Sequence, residues 1–459
     1  MSVIVRIVVE SVDATSQEVL NRDVIKDKSV EAVKSIVDLG YTHHEQIDIL
    51  QKVQDALLNQ QSHYLQEELK CCPKCGGKMS RKGFCTSEFH AVFTDHKVGT
   101  RRLICTQCGF SSTPSIQSLL GTSMHPDLAK LQCEISAQHS YREAEDILDK
   151  KSASMRQINN HDRIRKTVTA VGDVINEQRQ HWPQNSLCQT NTFAEELIMH
   201  VDGGHVPDKN PDKQSFEVLT AVLYNPKHVV INPKTEEVTI LNKSCVASAL
   251  SDEQEKIKSL AQQAAREQGI SLTTRVTALC DGAQNCWNVV DSIASLCGPI
   301  ERILDWFHIA MKFTNIALSN DDQRLIAKKA KWHLWRGCAE KAIQRMTLLL
   351  DKLTVTSDKN KLKKLINYIQ NNKDYLVNYK ERMANNLVFT SQLAESTVES
   401  LINRRCKGQQ HMSWTRPGIH SLLQVRAAIA SNHWIEHSQT YILTALTQRK
   451  NKQNGEVSI

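Results

Sequence analysis

The sequence predicts a multidomain α+β protein, with a helical and metal-binding N-terminal part and an α/β core that a long run of helices interrupts. Three observations carry this prediction. Two CxxC pairs lie at 72–75 and 105–108. Short strand-like runs begin at residue 196, namely LIMHVDG, FEVLTAVLY, HVVINP, EVTIL, RVTALCDG and ERILDWFH, and the helical runs among the later ones favour a mixed sheet covered by helices. Residues 309–394 have helical patterns throughout. The length of 459 residues also favours about three domains.

Composition and charge narrow the class of protein. Hydrophobic residues make up 40% of the chain and charged residues 23%, which is typical of globular domains. Residues 309–459 hold 24 Lys and Arg against 11 Asp and Glu. That balance indicates a polyanion as partner or, alternatively, a solvated helical surface. No uncharged apolar run reaches about 18 residues, so we expect no membrane span and no membrane partner.

The N-terminal run MSVIVRIVVESVDATS is interrupted by Arg6 and Glu10, and no small-residue cleavage site follows it. It therefore predicts a first strand rather than a signal peptide. The 14 cysteines then fit a cytoplasmic protein, in which they serve as metal ligands and buried thiols.

The expected domains follow one another along the chain. They are an N-terminal helical region over 1–70, with helices from residue 14; a zinc ribbon over 71–112; a helix-turn-helix domain over 113–177; the first part of the core over 195–308; a helical insertion over 309–394; the helix that completes the core and a closing helix over 395–432; and a C-terminal tail over 433–459.

The two CxxC pairs are the strongest local motif. Cys72, Cys75, Cys105 and Cys108 offer four thiolates, which is the set that Zn²⁺ prefers in a closed structural site. Four free thiols are the alternative interpretation. Weaker candidate ligands are Cys71, Cys85 and His90.

The 29 residues between the pairs are long enough for a β-hairpin. Glycines follow the second cysteine of each pair, where a tight turn favours positive φ: Gly76, Gly77 and Gly109. We expect the module to present basic side chains to DNA phosphates, namely Lys74, Arg81, Lys82, Arg101 and Arg102.

Three successive helical patterns follow: PDLAKLQCEISAQ, SYREAEDILDK and SASMRQINNHDRIRKTV. Ser140 and Glu143 form a capping-box pattern, and Ser152 and Ser154 are candidate caps of the third helix. That helix carries residue types that hydrogen-bond to base edges in the major groove, of which the candidates are Arg156, Gln157, Asn160 and Arg163. A plain helical spacer with a polar surface is the alternative.

Two acids end strand-like runs in the core. Asp202 follows LIMHV and Asp281 follows VTALC, and a glycine comes after each. Acids at neighbouring strand ends can share Mg²⁺, which prefers oxygen ligands, although an Asp-Gly pair is also a common turn. We expect a third carboxylate from a helix that crosses the edge of the sheet, and Glu399 in STVESLINRRCKG is the candidate. Two metal ions about 4 Å apart can activate a nucleophile and stabilise the leaving oxygen of a phosphodiester.

Five segments together resemble bacterial insertion-sequence transposases of the DDE type, in particular the ISKra family. They are VDGGHV, LCDGAQNCW, ILDWFH, LWRG and AESTVESLINRRCKGQQHMSWTRPGIHSLLQVRA, and the resemblance runs from about 65 to 432. It implies an RNase H-like α/β catalytic core. It also implies that Asp202, Asp281 and Glu399 are the catalytic triad, which holds two Mg²⁺ or Mn²⁺ ions.

The same resemblance implies an activity and partners. The protein is expected to bind the ends of an insertion sequence in double-stranded DNA, to hydrolyse a phosphodiester there, and to join the freed 3′ hydroxyl to target DNA. Pairing of two ends implies a homodimer or a larger assembly. Residues 309–394 would be an insertion whose Lys and Arg side chains track DNA.

Several residues near the triad have open roles. Glu395 lies one helical turn before Glu399 and could compete for the metal, but Val398 fits the family pattern and favours Glu399. Asp305 and His308 either support the metals or the scissile phosphate, or belong to a capped strand end. A structural role is expected for His205.

Basic residues follow Glu399 on the same expected helix. Arg404, Arg405 and Lys407 either clamp a phosphate near the metals or form an exposed basic face. Trp414 either stacks on an unpaired base or belongs to the core. Two other functions remain open at this point: a transposase-derived DNA-binding regulator without catalysis, and a structure-selective nuclease that does not join strands.

Overall fold

The computed structural model describes residues 3–67, 71–152, 155–181, 193–234, 238–391, 401–407 and 412–453. The chain forms two compact units. Unit 1 comprises Met1–Val171 and Ser438–Ile459, and unit 2 comprises Gly172–His437. Among the helices in the described ranges, none has both the length and the apolar content that crossing a membrane requires.

Unit 1 begins with an antiparallel hairpin of β1 (Ile4–Val12) and β2 (Val19–Ser29). The N-terminal strand is therefore confirmed, whereas the expectation of helices from residue 14 is wrong for residues 14–40 and confirmed over His43–Glu67. Residues 14–40, all of which are described, hold β2 and two short 3₁₀ turns, and α1 spans His43–Glu67. The sequence between β2 and α1 is rich in β-branched residues, which lose side-chain freedom in a helix and disfavour it.

A three-stranded sheet follows, with β3 (Met79–His90), β4 (Asp95–Cys105) and β5 (Ser111–Ser112) in that order. The hairpin expected between the two CxxC pairs is confirmed, because β3 and β4 are antiparallel partners along their whole length. Helix α1 packs on β4. There Ser62 Oγ donates a hydrogen bond of 2.9 Å to the carbonyl of Gly99, and Asp55 lies 2.7 Å from the ring of His96.

Four helices complete this part of the chain: α2 (Ile116–Leu120), α3 (Pro126–Gln138), α4 (Tyr141–Lys151) and α5 (His161–His181). The capping box of Ser140 and Glu143 is confirmed. The third helix starts later than expected, since a 3₁₀ turn spans Gln157–Asn159 and Asn160 accepts a hydrogen bond from the N–H of Asp162. Ser152 ends α4 by donating to the carbonyl of Leu148, and Ser154 lies outside the described residues.

Unit 2 contains a mixed five-stranded sheet and a small two-stranded sheet. Its strands are β6 (Glu196–Pro207), β7 (Ser215–Tyr224), β8 (Val229–Ile231), β9 (Val238–Ile240), β10 (Ser244–Ser248), β11 (Arg275–Cys280) and β12 (Ile300–Leu304). The order in the large sheet is β10-β7-β6-β11-β12. The first three strands are antiparallel neighbours, whereas β11 and β12 run parallel to β6.

One strand of this sheet was not expected from the sequence. The runs HVVINP and EVTIL form the separate β8–β9 pair, and the third strand of the large sheet is β10. The mixed sheet covered by helices is otherwise as expected. Leu197, Met199 and Val201 alternate along β6 and share a buried apolar core with α6 (Glu255–Glu267) and α7 (Gln284–Asp291).

The helical stretch after β12 is confirmed over the residues described. It comprises α8 (Trp306–Thr314), α9 (Asp321–Trp335), α10 (Ala339–Lys352), α11 (Thr356–Asn371) and α12 (Tyr379–Ala384). Aromatic rings connect its beginning and its end. The ring of Trp306 lies 4.7 Å from that of Trp335 and 4.9 Å from that of Tyr379, measured between centroids. The stretch therefore has a core of its own beside the sheet.

After the insertion, a π-helical turn spans Asn403–Lys407, α13 spans Arg416–Ala430 and α14 spans His433–Gln453. The expectation of a C-terminal tail from residue 433 is therefore wrong as far as Gln453. Helices α5 and α13 approach closely at Gly172, where an added Cβ would overlap the carbonyl oxygen of Ser421. Only glycine leaves enough space at this crossing.

Candidate active site and metal centre

The first two predicted catalytic acids lie side by side. Strands β6 and β11 are parallel, and Val201 pairs with Cys280 at the end of their ladder. Asp202 and Asp281 are the residues that directly follow this last pair, Asp202 within β6 and Asp281 just after β11. Neighbouring strands are roughly 4.8 Å apart. Asp202 does not end its strand, however. Strand β6 continues to Pro207 against β7, so Asp202 marks the point where β6 loses its parallel partner.

The carboxylate of Asp202 is largely removed from water, with 19% of its side chain exposed. Its Oδ1 accepts a hydrogen bond of 2.8 Å from the N–H of Gly203. Burial is the largest influence on the pKa of Asp202 and raises it. The charges of Asp281 and Asp305 raise this pKa further, and His308 opposes them. Each of these groups therefore acts on Asp202 through space.

Asp281 is held by its neighbours in the loop after β11. Its Oδ1 accepts a hydrogen bond of 2.9 Å from the N–H of Ala283, and its carbonyl accepts one of 2.7 Å from the hydroxyl of Tyr368 on α11. Gly282 has φ +91, and a Cβ there would come within 2.8 Å of the side chains of Asn372 and Leu304. The glycine after Asp281 is thus required by both backbone conformation and space.

Asp305 and His308 lie beside this pair of acids. Asp305 is 2% exposed and caps α8 by accepting a hydrogen bond of 3.1 Å from the N–H of Phe307. It also accepts hydrogen bonds of 2.9 and 2.6 Å from the N–H and hydroxyl of Ser391. The ring Nε2 of His308 is 3.6 Å from Asp305 and 4.0 Å from Asp202. Asp305 therefore follows the end of β12 and caps α8. Its neighbour His308 faces Asp202.

The third predicted acid, Glu399, lies outside the described residues, as do Glu395 and Val398. The chain immediately after it, Leu401–Lys407, packs against β6. An ideal Cβ on Gly204 would lie 3.0 Å from Cδ1 of Ile402 and 3.3 Å from Nζ of Lys407. The ammonium group of Lys407 is thus close to β6, two residues beyond Asp202.

Two of the predicted DNA contacts in this region are wrong. Arg405 is 1% exposed, its guanidinium donates to the sulfur of Met412 at 3.1 Å, and it lies 5.2 Å from the ring of Trp414. Trp414 is itself buried and donates from its indole N–H to the carbonyl of Cys406 at 3.2 Å. Both side chains belong to the core, so neither can contact DNA. Arg404 and Lys407 are exposed.

The four predicted zinc ligands meet in unit 1. Their sulfur atoms all lie within 4.8 Å of one another, and no other group of three or more His, Cys, Asp or Glu in the described ranges is that close. Cys72 and Cys108 are 3.6 Å apart between sulfur atoms, and Cys75 and Cys105 are 3.4 Å apart. A tetrahedral site with Zn–S of about 2.3 Å requires sulfur separations of this size. The set fits one structural metal such as zinc.

Backbone groups favour thiolate at this centre. Hydrogen bonds from the N–H groups of Cys108 and Gln107 lower the pKa of Cys105 to about 6. The N–H of Gly77 likewise lowers the pKa of Cys75, but hydrogen bonds with the other three thiols outweigh it and raise that pKa to about 12. Gly76 and Gly109 have φ +72 and +71, as expected for the turns after each pair. Gly77 does not have positive φ, which corrects that part of the prediction. Its carbonyl instead accepts from the N–H of Cys72 at 2.8 Å and closes the first turn.

The weaker candidate ligands have other partners. Cys85 lies 2.9 Å from the hydroxyl of Thr100, and His90 lies 2.8 Å from the carboxylate of Asp95. Cys71 is exposed and does not belong to the group of four.

Arg156 does not read DNA bases, because its side chain is buried. Its guanidinium forms an ion pair with Asp95 and donates hydrogen bonds to the carbonyls of Ala91, Val92 and Thr94 at 2.8, 2.9 and 3.0 Å. All four partners lie at the β3–β4 turn. Arg156 is therefore a structural residue that fixes the ribbon hairpin.

The other helix-turn-helix candidates differ in exposure. Asn160 is half-buried and caps α5, so its amide oxygen is engaged within the protein. Gln157 and Arg163 are exposed. Of the four predicted base-reading residues, these two have side chains that can reach a partner.

Two site residues were missed by sequence reasoning. Tyr368 bonds to the carbonyl of Asp281, and Tyr379 bonds to the carbonyl of Leu304 at 2.7 Å. Both hydroxyls belong to the helical insertion. They donate to carbonyls at the ends of two neighbouring strands, β11 and β12. No local pattern marks them, because a tyrosine on an amphipathic helix usually indicates packing alone.

Comparison with known proteins does not identify a family. No family model matches the chain, and no curated protein is significantly similar to it in sequence.

Proposed function

We propose that this protein is a DNA transposase of the DDE type, with an RNase H-like catalytic core. The observation that carries the proposal is the placement of Asp202 and Asp281 on neighbouring parallel strands, 79 residues apart in the chain. The strand order β10-β7-β6-β11-β12, antiparallel on one side of β6 and parallel on the other, supports an RNase H-like core. The five sequence segments that resemble ISKra transposases favour the same function.

Glu399 is the proposed third acid. It precedes Leu401 by two residues, and the segment that begins at Leu401 lies against the strand that carries Asp202. The donor set of three carboxylates suits Mg²⁺ or Mn²⁺, which prefer oxygen ligands. When bound, two such ions supply the activation of a nucleophile and the stabilisation of a leaving oxygen.

The protein side chains have the remaining roles. Asp202, Asp281 and Glu399 hold the ions. His308 orients or neutralises the carboxylate of Asp202, since its ring is 4.0 Å away. Lys407 offers an exposed ammonium group beside β6 that can pair with the phosphate to be cut.

The proposed partner is double-stranded DNA, both at the element ends and at the target. The cysteine cluster and the exposed residues Gln157 and Arg163 support binding by unit 1. The 24 Lys and Arg after residue 308 support a second contact with the phosphate backbone. Pairing of two ends requires a homodimer or a larger assembly on DNA, and a bacterial cytoplasmic, nucleoid-associated location follows from this role.

The test uses full-length protein and a supercoiled plasmid that carries the DNA flanking both ends of the coding sequence, with Mg²⁺ or Mn²⁺. Wild type is expected to cut at the element ends and to join the freed 3′ ends to target DNA. Asp202→Asn, Asp281→Asn and Glu399→Gln are each expected to bind the DNA and to leave it uncut. Asp321→Asn is the matched control, because that acid is 95% exposed on α9.

A metal-specificity exchange makes the test sharper. Asp281→Cys is expected to cut in Mn²⁺ and not in Mg²⁺, because thiolate is a softer ligand than carboxylate. Binding without cutting under every condition would overturn the enzyme assignment and leave a DNA-binding regulator. Cutting of junctions or hybrids without joined products would leave a nuclease.

A further inference from the structure

A cleft of about 500 Å³ opens beside Asp281 in unit 2. Gly282, the residue that follows Asp281, lines this cleft, and so do four residues of helix α11. Small-molecule sites occupy roughly 300–1,000 Å³, so the cleft is large enough for one nucleotide and too small for a duplex.

The wall formed by α11 is a polar stripe. Lys364, Asn367, Tyr368 and Asn371 are spaced i, i+3, i+4 and i+7, so they share one face of the helix. The apolar residues of α11 occupy a different stripe and are buried: Leu362, Leu365, Ile366 and Ile369. The polar face lines a cleft next to a proposed catalytic acid.

Two aromatic residues, Trp287 and Tyr375, also line the cleft. Trp287 on α7 is buried and its ring lies 4.5 Å from that of Tyr375, measured between centroids. Tyr375 is half-buried, and its ring, which contacts that of Trp287, offers the cleft a flat surface. Aromatic surfaces of this kind stack with nucleobases of any sequence.

The charge of the lining selects the ligand. Among the nine described residues that line the cleft, Lys364 is the one charged residue and no carboxylate is present. Metal cations and basic ligands therefore have no partner in this lining. Exposed amide groups from Gln284, Asn367 and Asn371 offer paired donors and acceptors of the type that match base edges.

We infer that this cleft binds a single unpaired nucleotide of the DNA strand that passes Asp281, with the base against Tyr375, its edge on the α11 amides and its phosphate near Lys364. The choice of DNA as ligand rests on the proposed function; the preference for an unpaired nucleotide rests on the lining and volume alone. Such a site would hold the strand in register at the position next to the bond that is cut.

The test uses full-length protein with Ca²⁺ in place of Mg²⁺, so that binding is observed without reaction. The probe is a short single-stranded oligodeoxynucleotide that contains one 2-aminopurine, whose fluorescence falls when the base stacks on an aromatic ring. The test variant is the double change Lys364→Ala and Asn367→Ala. The matched control is Lys363→Ala with Gln370→Ala, which alters exposed residues on the same helix outside the cleft.

Wild type and the control are expected to quench the probe equally, whereas the test variant is expected to lose most of the quenching and about tenfold in affinity. An equal loss of quenching in both double variants would mean general attraction to a basic helix. No loss of quenching in either variant would mean that the cleft does not hold the base. Either result overturns the inference. If no DNA is ever cut but quenching depends on Lys364 and Asn367, the proposed function fails and the cleft assignment stands.

Discussion

Removal of the Arg156 side chain tests whether this residue is structural, as its burial indicates, rather than a contact to DNA bases, as the sequence predicted. Arg156→Ala deletes an ion pair with Asp95 and three hydrogen bonds to backbone carbonyls at the β3–β4 turn. The side chain of Arg156 is 3% exposed and that of Asp95 is 34% exposed. The variant therefore leaves three carbonyls without this donor and a half-buried carboxylate without its cation.

The expected cost is about 3 kcal/mol in the free energy of opening the hairpin. Breaking a buried ion pair costs roughly 3–5 kcal/mol, and the lower end applies because water can hydrate the freed carboxylate of Asp95. In a double-mutant cycle with Asp95→Asn, the coupling of the two side chains should be about 1–2 kcal/mol. The remainder of the cost belongs to the carbonyls.

The contribution of Asp95 has a defined pH window. Burial raises its pKa, but hydrogen bonds from His90 and Arg156 outweigh burial and lower it to about 2. The unfolded value is about 3.9. The stabilisation is therefore fully present above pH of about 4 and is lost as the pH falls towards about 2.

Hydrogen exchange of the amides in β3 and β4, measured by mass spectrometry at neutral pH on the zinc-loaded full chain, reports this opening without requiring the whole protein to unfold in one step. Arg163→Ala is the control. That arginine is exposed, so its removal should change stability by less than about 0.5 kcal/mol and weaken DNA binding instead. If Arg156→Ala weakened DNA binding and left exchange in the hairpin unchanged, the buried position of its guanidinium would be wrong.

Three further predictions concern the cysteine cluster, the crossing of α5 and α13 at Gly172, and the loop after β11 that carries Asp281. Cys75→Ser should lower the zinc content from one ion per chain and lower the melting temperature, as measured by elemental analysis and thermal unfolding, whereas Cys85→Ser should keep the ion. Gly172→Ala should destabilise unit 2 by about 1–3 kcal/mol in denaturant unfolding, because the added methyl group overlaps a backbone carbonyl; a stability within about 0.5 kcal/mol of wild type would contradict the close crossing. Tyr368→Phe should raise the Mg²⁺ concentration needed for half-maximal cleavage, whereas Tyr379→Phe, which loses an equal hydrogen bond at the next strand, should change stability alone; equal shifts in Mg²⁺ requirement would assign Tyr368 a purely structural role.

The sequence predicts strands well where an apolar run is long and fully buried. The runs that became β6, β7 and β11 have this character over most of their length, since a strand covered on both faces is largely apolar. Strand β12, IERIL, is buried only at its last two residues. Strand β10 was missed because SCVAS is short and consists mostly of small residues, so its apolar signal is weak. The β8 and β9 runs have stronger β-branched patterns, yet they pair only with each other. A sequence pattern predicts a strand but does not identify the sheet to which the strand belongs.

Residue type was a poor guide to side-chain location among the basic and aromatic residues. Arg156 and Arg405 were expected at DNA, and both are buried with partners that lie elsewhere along the chain. An arginine with five donors can satisfy several carbonyls at a turn as well as it can bind a phosphate. Which of these occurs depends on whether a turn lies within reach, and that is a property of tertiary structure.

The two aspartates could be placed from the sequence because parallel pairing converts position in a strand into position in space. Each acid directly follows a buried apolar run, and when two such runs pair in parallel their following residues meet at one edge. No such rule places Tyr368, since its hydroxyl reaches the carbonyl of Asp281 only after α11 has packed beside the sheet. The relative positions of Asp202 and Asp281 are thus determined by strand register. The conformation of the loop that carries Asp281, in contrast, depends on a contact with an insertion distant in the chain. A change in that insertion can therefore alter the geometry at Asp281 without altering any residue of the sheet.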